Sequence, residues 1–567
     1  MTGDETGVEI VDAELAGKAA PLLERLVADQ AASKLAANDA TLWGPDAESE
    51  ASIRLSWTSL HKSSRPLIGE IEALRTELRT EGVDRVVLAG MGGSSLAPEV
   101  IAGTSEVALT VLDTTDPGQV ADALAGDLQR TVLVVSSKSG GTMETDSHRR
   151  IFARAFADAG IDAGRRIVVV TDPGSPLAEL SGQEGYRKTF LADPHVGGRY
   201  SALTAFGLVP AGLAGADIAR LLDQAAAVAG VLGSDSADNP AVKLAAAWAA
   251  AHEDGAEKVV LAATDSGSPS PLTGFPDWAE QLIAESTGKL GTGLLPVAVE
   301  GPQAPGFADA KSDATPVAVG SPQGAAKISV TGPLGAQFLL WEFATALAGR
   351  LLGINPFDQP DVEAAKKATR ALLDDPDRLA SGGPGGLAPR SGAGAEPHKA
   401  QRGEKASNVD GAVEIFGSEG VATEGKLKDV LRAFFASAPE KGYLAVQAYL
   451  DRLDDASTAL LRGEIAKGTG LQTTFGWGPR FLHSTGQYHK GGHQNGNFLQ
   501  ITGVIAEDIE VPERPYTLGQ LQHAQALGDG QVLAEHGRPV LRLHLTDRAA
   551  GLAELVRAVQ AIQEVGA

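Results

Sequence analysis

Three short stretches of the chain gather side chains able to do chemistry. The first is GMGGSSLAPEV, Gly90 to Val100, which directly follows the apolar run RVVLAG and opens a helical pattern. Glycines such as Gly92 and Gly93 let a backbone approach a ligand closely. The amides of a helix start, with the Ser94 and Ser95 hydroxyls, can then hold an anion. On its own the motif is equally well read as a tight strand-to-helix turn. It does not fit dinucleotide-binding spacing and lacks the lysine of a nucleotide P-loop. The second stretch is SSKSGGTMET, Ser136 to Thr145, also between an apolar run and a helical pattern. It places Ser137, Lys138, Ser139 and Thr142 around two glycines, the many short donors and little bulk that suit a phosphate monoester. The plainer reading is an N-capping loop. The third is RFLHSTGQYHKGGHQNG, residues 480–496, in which His483, His489 and His493 crowd Lys490. Histidine spacings of six and four through glycines do not force three imidazoles onto one metal, and no carboxylate lies in the run. Structural histidines and proton-transferring histidines both remain open.

The first two stretches are more telling as a pair, because loops on neighbouring strands of one parallel sheet converge where ligands of open sheets bind. The surrounding pattern predicts such a sheet. Residues 12–80 carry apolar positions at helical spacing. From Arg85 short apolar runs alternate with helical stretches: RVVLAG, ALTVLD, TVLVVS and RIVVVTD. That texture is one of parallel strands covered on both faces. A second unit of the same kind follows, with a helix around 240–253, the strand EKVVLAATD and the long apolar helix LGAQFLLWEFATALAGRLL at 334–352. Residues 381–410 are Gly-, Pro- and Ala-rich and read as a linker or mobile loop. A third α/β stretch occupies 411–567, with strands near YLAVQAYLD, LQTTFGW, FLQITGV and PVLRLHL and a final helix DRAAGLAELVRAVQAIQ. The expected organisation is therefore a helical segment (1–80), two doubly wound parallel-sheet α/β domains (81–230 and 231–380), the linker, and an additional C-terminal α/β segment.

Composition narrows the function classes. The 567 residues are 43% apolar and 21% charged, too many for one core and ordinary for a globular chain. A formal charge of −24 repels nucleic acid and anionic membranes. No cysteine is present, which excludes disulfides and thiolate chemistry. The N-terminus MTGDETGVEI has no apolar core of a signal peptide, and apolar stretches stop short of membrane-spanning length. A cytoplasmic protein without nucleic-acid or membrane partners is expected.

The pair of serine loops resembles the sugar isomerase domain, and further motifs are similar to those of the phosphoglucose isomerase family. GGRYSALTAFGL at 197–208 resembles the family's GGRYS signature, AEQLIAESTGK at 279–289 its glutamate-bearing segment, and LGINPFDQPDVEAAK at 352–366 its INPFDQ signature. The resemblance covers roughly residues 85–370 in order. It implies interconversion of glucose 6-phosphate and fructose 6-phosphate through a cis-enediolate, with no cofactor, in a homodimer. The loops with Gly92, Gly93, Ser94, Ser137, Lys138, Ser139 and Thr142 would hold the phosphate. Glu285 would be the base that moves the proton between C1 and C2, Arg199 would stabilise the enediolate, and Gln281, four residues before Glu285, would contact substrate. The family's ring-opening histidine comes before the INPFDQ signature, but residues 301–351 contain no histidine. TGQYHKGG resembles a displaced version of that motif, which assigns ring opening to His489 with Lys490, or else Lys467, as the accompanying lysine. A dual phosphoglucose and phosphomannose isomerase and a non-catalytic sugar-phosphate sensor are the alternatives. A sensor could dispense with Arg199 and Glu285.

Overall fold

The computed structural model describes residues 6–264, 272, 274–374 and 406–563. Tertiary contacts divide the chain into two compact units. Unit 1 comprises residues 1–113, 123–359 and 483–488; unit 2 comprises 114–122, 360–482 and 489–567. These units are drawn differently from the sequence segments, since residues 114–122 are counted with unit 2 and 483–488 with unit 1. Most of the expected linker lies outside the described residues. Its last part forms a short strand, Asn408–Asp410.

Unit 1 is built on two five-stranded sheets. The first contains β2 (Arg85–Gly90), β3 (Thr110–Leu112), β4 (Thr131–Ser136), β5 (Ile167–Thr171) and β6 (Lys188–Leu191), all parallel, in the order β3-β2-β4-β5-β6. The Val- and Ile-rich strands are buried on both faces, as continuous apolar runs in parallel sheets require. The second sheet contains β7 (Lys258–Ala263), β8 (Leu295–Val299), β9 (Ala314–Val319) and β10 (Ile328–Thr331), with the N-terminal β1 (Gly7–Ile10) antiparallel on its edge, in the order β1-β10-β9-β7-β8. The runs β3-β2-β4-β5 and β8-β7-β9-β10 repeat one winding: the chain leaves the first strand for one neighbour, then crosses to the other side. The sequence pattern anticipated strands β2 to β5 and β7. The short β1, β6, β8, β9 and β10 had no distinct signal. Helix Leu334–Leu352 coincides with its predicted range and is buried from Leu334 through Gly349, consistent with its apolar character all round.

Unit 2 contains one six-stranded sheet. β13 (Tyr443–Tyr449), β14 (Gln472–Trp477), β15 (Gly496–Gly503) and β16 (Val540–Leu545) are parallel, and β12 (Val413–Gly417) and β11 (Asn408–Asp410) extend it antiparallel in the order β11-β12-β16-β15-β13-β14. An apolar core of Leu431, Val446, Leu499, Leu541 and Leu555 packs beside it. The strands also carry buried polar side chains: Gln447, Gln500 and Arg542 are aligned in register. Helix Leu518–Glu535 adds buried Gln522, His523, Gln525 and Asp529.

Three histidines of unit 2 are held neutral. Burial pushes His489 and His523 well below the usual histidine range, with Lys490 and Arg538 adding to the effect on the first and Arg542 and His544 on the second. Burial, then Arg542 and Arg548, push His544 down to about 4. The unfolded chain therefore takes up protons below about pH 6.5 that the folded chain refuses, so stability falls as pH falls toward 4. Each such histidine contributes a slope of about 1.4 kcal/mol per pH unit. Urea unfolding between pH 7 and 4.5 should show His544→Gln losing stability less steeply than the wild type. Parallel slopes would refute a buried neutral His544.

Candidate functional site

The phosphate-loop candidates follow β2 and β4, which are adjacent strands at the point where the winding reverses. Ligands of open α/β sheets bind at such points. After β2 the chain makes a 3₁₀ turn over Gly92–Ser94, with Gly92 at φ +55. A Cβ on Gly92 would stand 2.8 Å from Gln281 Nε2 and from the His483 carbonyl oxygen. One on Gly93 would lie 2.0 Å from the Gly198 carbonyl oxygen. Both glycines are thus demanded by close approach. After β4, the Ser137 and Thr142 hydroxyls share a hydrogen bond of 2.9 Å. Thr142 is the N-cap of helix Met143–Asp158 yet makes no side-chain capping bond. The Ser139 hydroxyl accepts a bond from the Gly141 amide. Lys138 pairs with Asp172 and also donates to the Pro194 carbonyl.

Arg199 and Glu285 lie together and are both buried. Arg199 sits on a 3₁₀ turn, Gly198–Tyr200, and Glu285 near the end of helix Phe275–Thr287. The guanidinium is 3.5 Å from the carboxylate. Arg199 Nε donates to the Ser286 hydroxyl at 2.8 Å, Nη1 to Gln359 Oε1 at 2.6 Å, and Nη2 to the carbonyls of Pro356 and Asp358 at 2.7 and 3.0 Å. The INPFDQ loop therefore supplies most acceptors for this arginine. Tyr200, next in sequence, stacks on Trp57 and meets the Ser286 hydroxyl at 3.2 Å.

The third part comes from segment 483–488. His483 Nε2 lies 3.0 Å from Glu144 Oε1, and Gln281 Nε2 donates to the His483 carbonyl at 2.7 Å. Gln487 Nε2 donates to the Gly288 carbonyl at 2.9 Å, and a Cβ on Gly288 would run into Tyr488 at 2.5 Å. This segment thus joins the glycine loop after β2, the glutamate-bearing helix and the start of helix Met143–Asp158. A carboxylate bonded to an imidazole fixes the orientation of the ring.

His489 and Lys490 belong to unit 2, each with a partner of its own. His489 Nδ1 is 3.1 Å from the Tyr443 hydroxyl, and its ring stacks on Tyr443 and meets Phe498 edge-on. Lys490, buried, donates to Asp529 at 2.5 Å. His493 lies 3.2 Å from the Asn495 amide. Sequence reading chose among three histidines in one run and took the second. It gave Glu144 no role, although Glu144 stands inside the SSKSGGTMET motif. The one available signal was that motif's acidic residue, on the first turn of its helix. Nothing local links it to His483, 339 residues away.

A family model described as phosphoglucose isomerase matches residues 62–293. The glucose-6-phosphate isomerase of Thermosynechococcus vestitus is 33% identical over 356 residues, 51% of this chain and 65% of its own length. The probable glucose-6-phosphate isomerase of Haloarcula marismortui is 30% identical over 346 residues, 51% of this chain and 78% of its own length. That of Cyanothece sp. is 34% identical over 237 residues, 39% of this chain and 42% of its own length. The chain thus spans less than half to about two thirds of the length of two of these curated relatives and more of the third. The solved structure of a glucose-6-phosphate isomerase from Chlamydia trachomatis shares the fold, with a TM-score of 0.51 at 18% identity, covering 64% of this chain and 85% of that one.

The close approach at Gly93 is testable. Its Cβ would meet backbone, which cannot swing aside as a side chain can. Gly93→Ala should destabilise the protein by about 1–3 kcal/mol, the usual cost of overpacking. A melting temperature equal to the wild type's would show that the two turns are not in contact.

Proposed function

The chain belongs to the phosphoglucose isomerase family, and we propose that it interconverts glucose 6-phosphate and fructose 6-phosphate. The observation that carries this reading is the buried Arg199 guanidinium 3.5 Å from the Glu285 carboxylate, a fixed positive charge beside a base. A group that only bound sugar phosphate would need neither.

The substrate phosphate rests on the two loops, held by Gly92, Gly93, Ser94, Ser137, Ser139 and Thr142, with Lys138 beside them in its pairing with Asp172. Small hydroxyl and amide donors suit this role in a chain with a formal charge of −24. Gln281 borders the sugar. Ring opening falls to His483 rather than His489, because His483 shares unit 1 with the loops and has Glu144 to hold its ring. The imidazole passes a proton between the ring oxygen and the anomeric hydroxyl, giving the open-chain aldose. Glu285 then takes the proton from C2. The electron pair of that C–H bond forms the C1–C2 double bond, and negative charge grows on the sugar oxygen, where Arg199 stabilises it. A proton moves from the C2 hydroxyl to the C1 oxygen, the electron pair left on O2 forms the C2 carbonyl as the C1–C2 double bond takes the proton that Glu285 returns to C1, and the ketose results. The chemistry is general acid–base and electrostatic, with no step that calls for a cofactor. His489 and Lys490, bonded within unit 2, take no step. The chain acts on a small-molecule sugar phosphate as a cytoplasmic homodimer. Among the described residues no helix is long and apolar enough to cross a membrane.

The test is turnover of purified protein with glucose 6-phosphate, and solvent deuterium exchange into C1 or C2. Glu285→Gln should lose about 10²–10⁴ in rate while still binding the sugar phosphate, since the amide keeps the shape and loses the base. Wild-type exchange in that variant would place the base elsewhere. His483→Ala should lose chiefly the cyclic substrate and retain activity on an open-chain four-carbon analogue. His489→Ala should retain both. The reverse pattern would return ring opening to His489.

A further inference from the structure

The glutamate-bearing helix ends at Gly288, and a four-residue turn follows in which Lys289 bridges Thr292. Leu290 and Gly291 occupy the left-handed region at φ +57 and +75, and Leu290 is 83% exposed. A branched, bulky residue is disfavoured there, so the turn is set by something other than its own preference. The turn directs Lys289 inward. Its ammonium is buried and donates three bonds, all to one loop: the Asn355 carbonyl at 2.8 Å, the Asp358 carbonyl at 2.6 Å and Asp358 Oδ1 at 2.7 Å. That loop is the one that accepts three bonds from Arg199, and the Asp358 carbonyl receives both cations. The charges facing Lys289 are Arg199, Asp358 and Glu285. On the far side of its turn His252 meets the Thr292 hydroxyl.

Resting on the isomerase reading above, we infer that Lys289 is a positioning residue: by clamping the loop 355–358 it aims the Arg199 guanidinium at the oxyanion formed beside Glu285. Beside the Ser286 hydroxyl, the acceptors that orient Arg199 are two backbone carbonyls and one side chain of a loop with no regular structure. Without a second set of ties the loop could shift and take the guanidinium with it. Lys289 supplies those ties from the turn next to Glu285, so base, arginine and loop move as one body. Its charge also balances the local set, two cations against the Glu285 and Asp358 carboxylates.

The lysine's proton is available to experiment. Burial, then Arg199, push Lys289 down to about 8, against Asp358 and Glu285, which raise it. Protonated below that value, it makes all three bonds. Above it the neutral amine has two hydrogens left, and the loop loses a tie. Tyr200, pushed up to about 12, stays outside this window. Turnover should therefore fall on the alkaline side with a midpoint near pH 8.

The experiment measures kcat and KM for the sugar phosphate from pH 6 to 10 in the full-length wild type, Lys289→Met and Asp358→Asn. Lys289→Met should lose about 10- to 100-fold in kcat, the usual effect of a misplaced catalytic group, with KM nearly unchanged and no alkaline midpoint near 8. Asp358→Asn removes a carboxylate that raises the lysine, so the midpoint should move to lower pH. Asp358 is 44% exposed, so this variant tests the idea even where Lys289→Met does not fold. Wild-type kcat and an unchanged midpoint in Lys289→Met would overturn the inference. So would an unmoved midpoint in Asp358→Asn. A wild type that turns over no sugar phosphate would remove the activity assignment itself, whereas an active wild type with either of those variant results removes only the role of Lys289.

Discussion

The structure of unit 1 depends on satisfying one buried guanidinium. Arg199 is 2% exposed, and an ionised group so placed is tolerated only with partners for its donors. Its bonds reach the Ser286 hydroxyl on the glutamate-bearing helix and three acceptors of the loop after helix Leu334–Leu352. One side chain therefore joins three segments far apart in sequence. The fork of a guanidinium suits this because its donors are planar and fixed, so holding the acceptors also fixes where the remaining charge points. The nearest charge of opposite sign is Glu285, at 3.5 Å.

Close backbone approach supports that arrangement from the other side. Gly93 lies against the carbonyl of Gly198, the residue before Arg199, and Gly92 lies against Gln281 and His483. A side chain at either place would separate the glycine loop after β2 from the arginine turn or from the glutamate helix. The apolar frame beneath is rigid for a different reason. Trp57, Tyr200, Phe343 and Phe357 meet ring to ring, so the turn carrying Arg199 rests on aromatic packing that leaves it little freedom. Unit 2 solves its interior differently, with amides, histidines and a Lys490–Asp529 pair among its buried side chains.

Much of this was legible in the amino-acid sequence, because the information was local. Apolar runs of strand length identified β2 to β5, β7 and β13 to β16, and helix Leu334–Leu352 was read to the residue. Glycines and hydroxyls directly after two of those strands marked the candidate phosphate loops. The motif likeness named Arg199, Gln281 and Glu285, and the structure brings Arg199 and Glu285 within 3.5 Å. The short strands β1, β6, β8, β9 and β10 were missed, since four to six residues whose pairing partners lie elsewhere carry little period of their own.

What only the tertiary structure decided are the pairings between distant segments. Three histidines within eleven residues look alike to any local rule. They differ only in what surrounds them: His483 meets Glu144, while His489 is enclosed by Tyr443 and Phe498. Lys289 carries no local signal, because a lysine after a helix is ordinarily a solvated residue; its burial against the loop 355–358 appears only with the turn that carries it. The sequence by itself determined where many of the strands, the long helices and the glycine- and hydroxyl-rich loops occur, since those follow from hydrophobic period and backbone freedom within a few residues. The pairing of His483 with Glu144, the burial of Arg199 and the bonds from Lys289 to the loop 355–358 belong to the fold, because each is a contact made only after chain segments separated by tens to hundreds of residues have packed together.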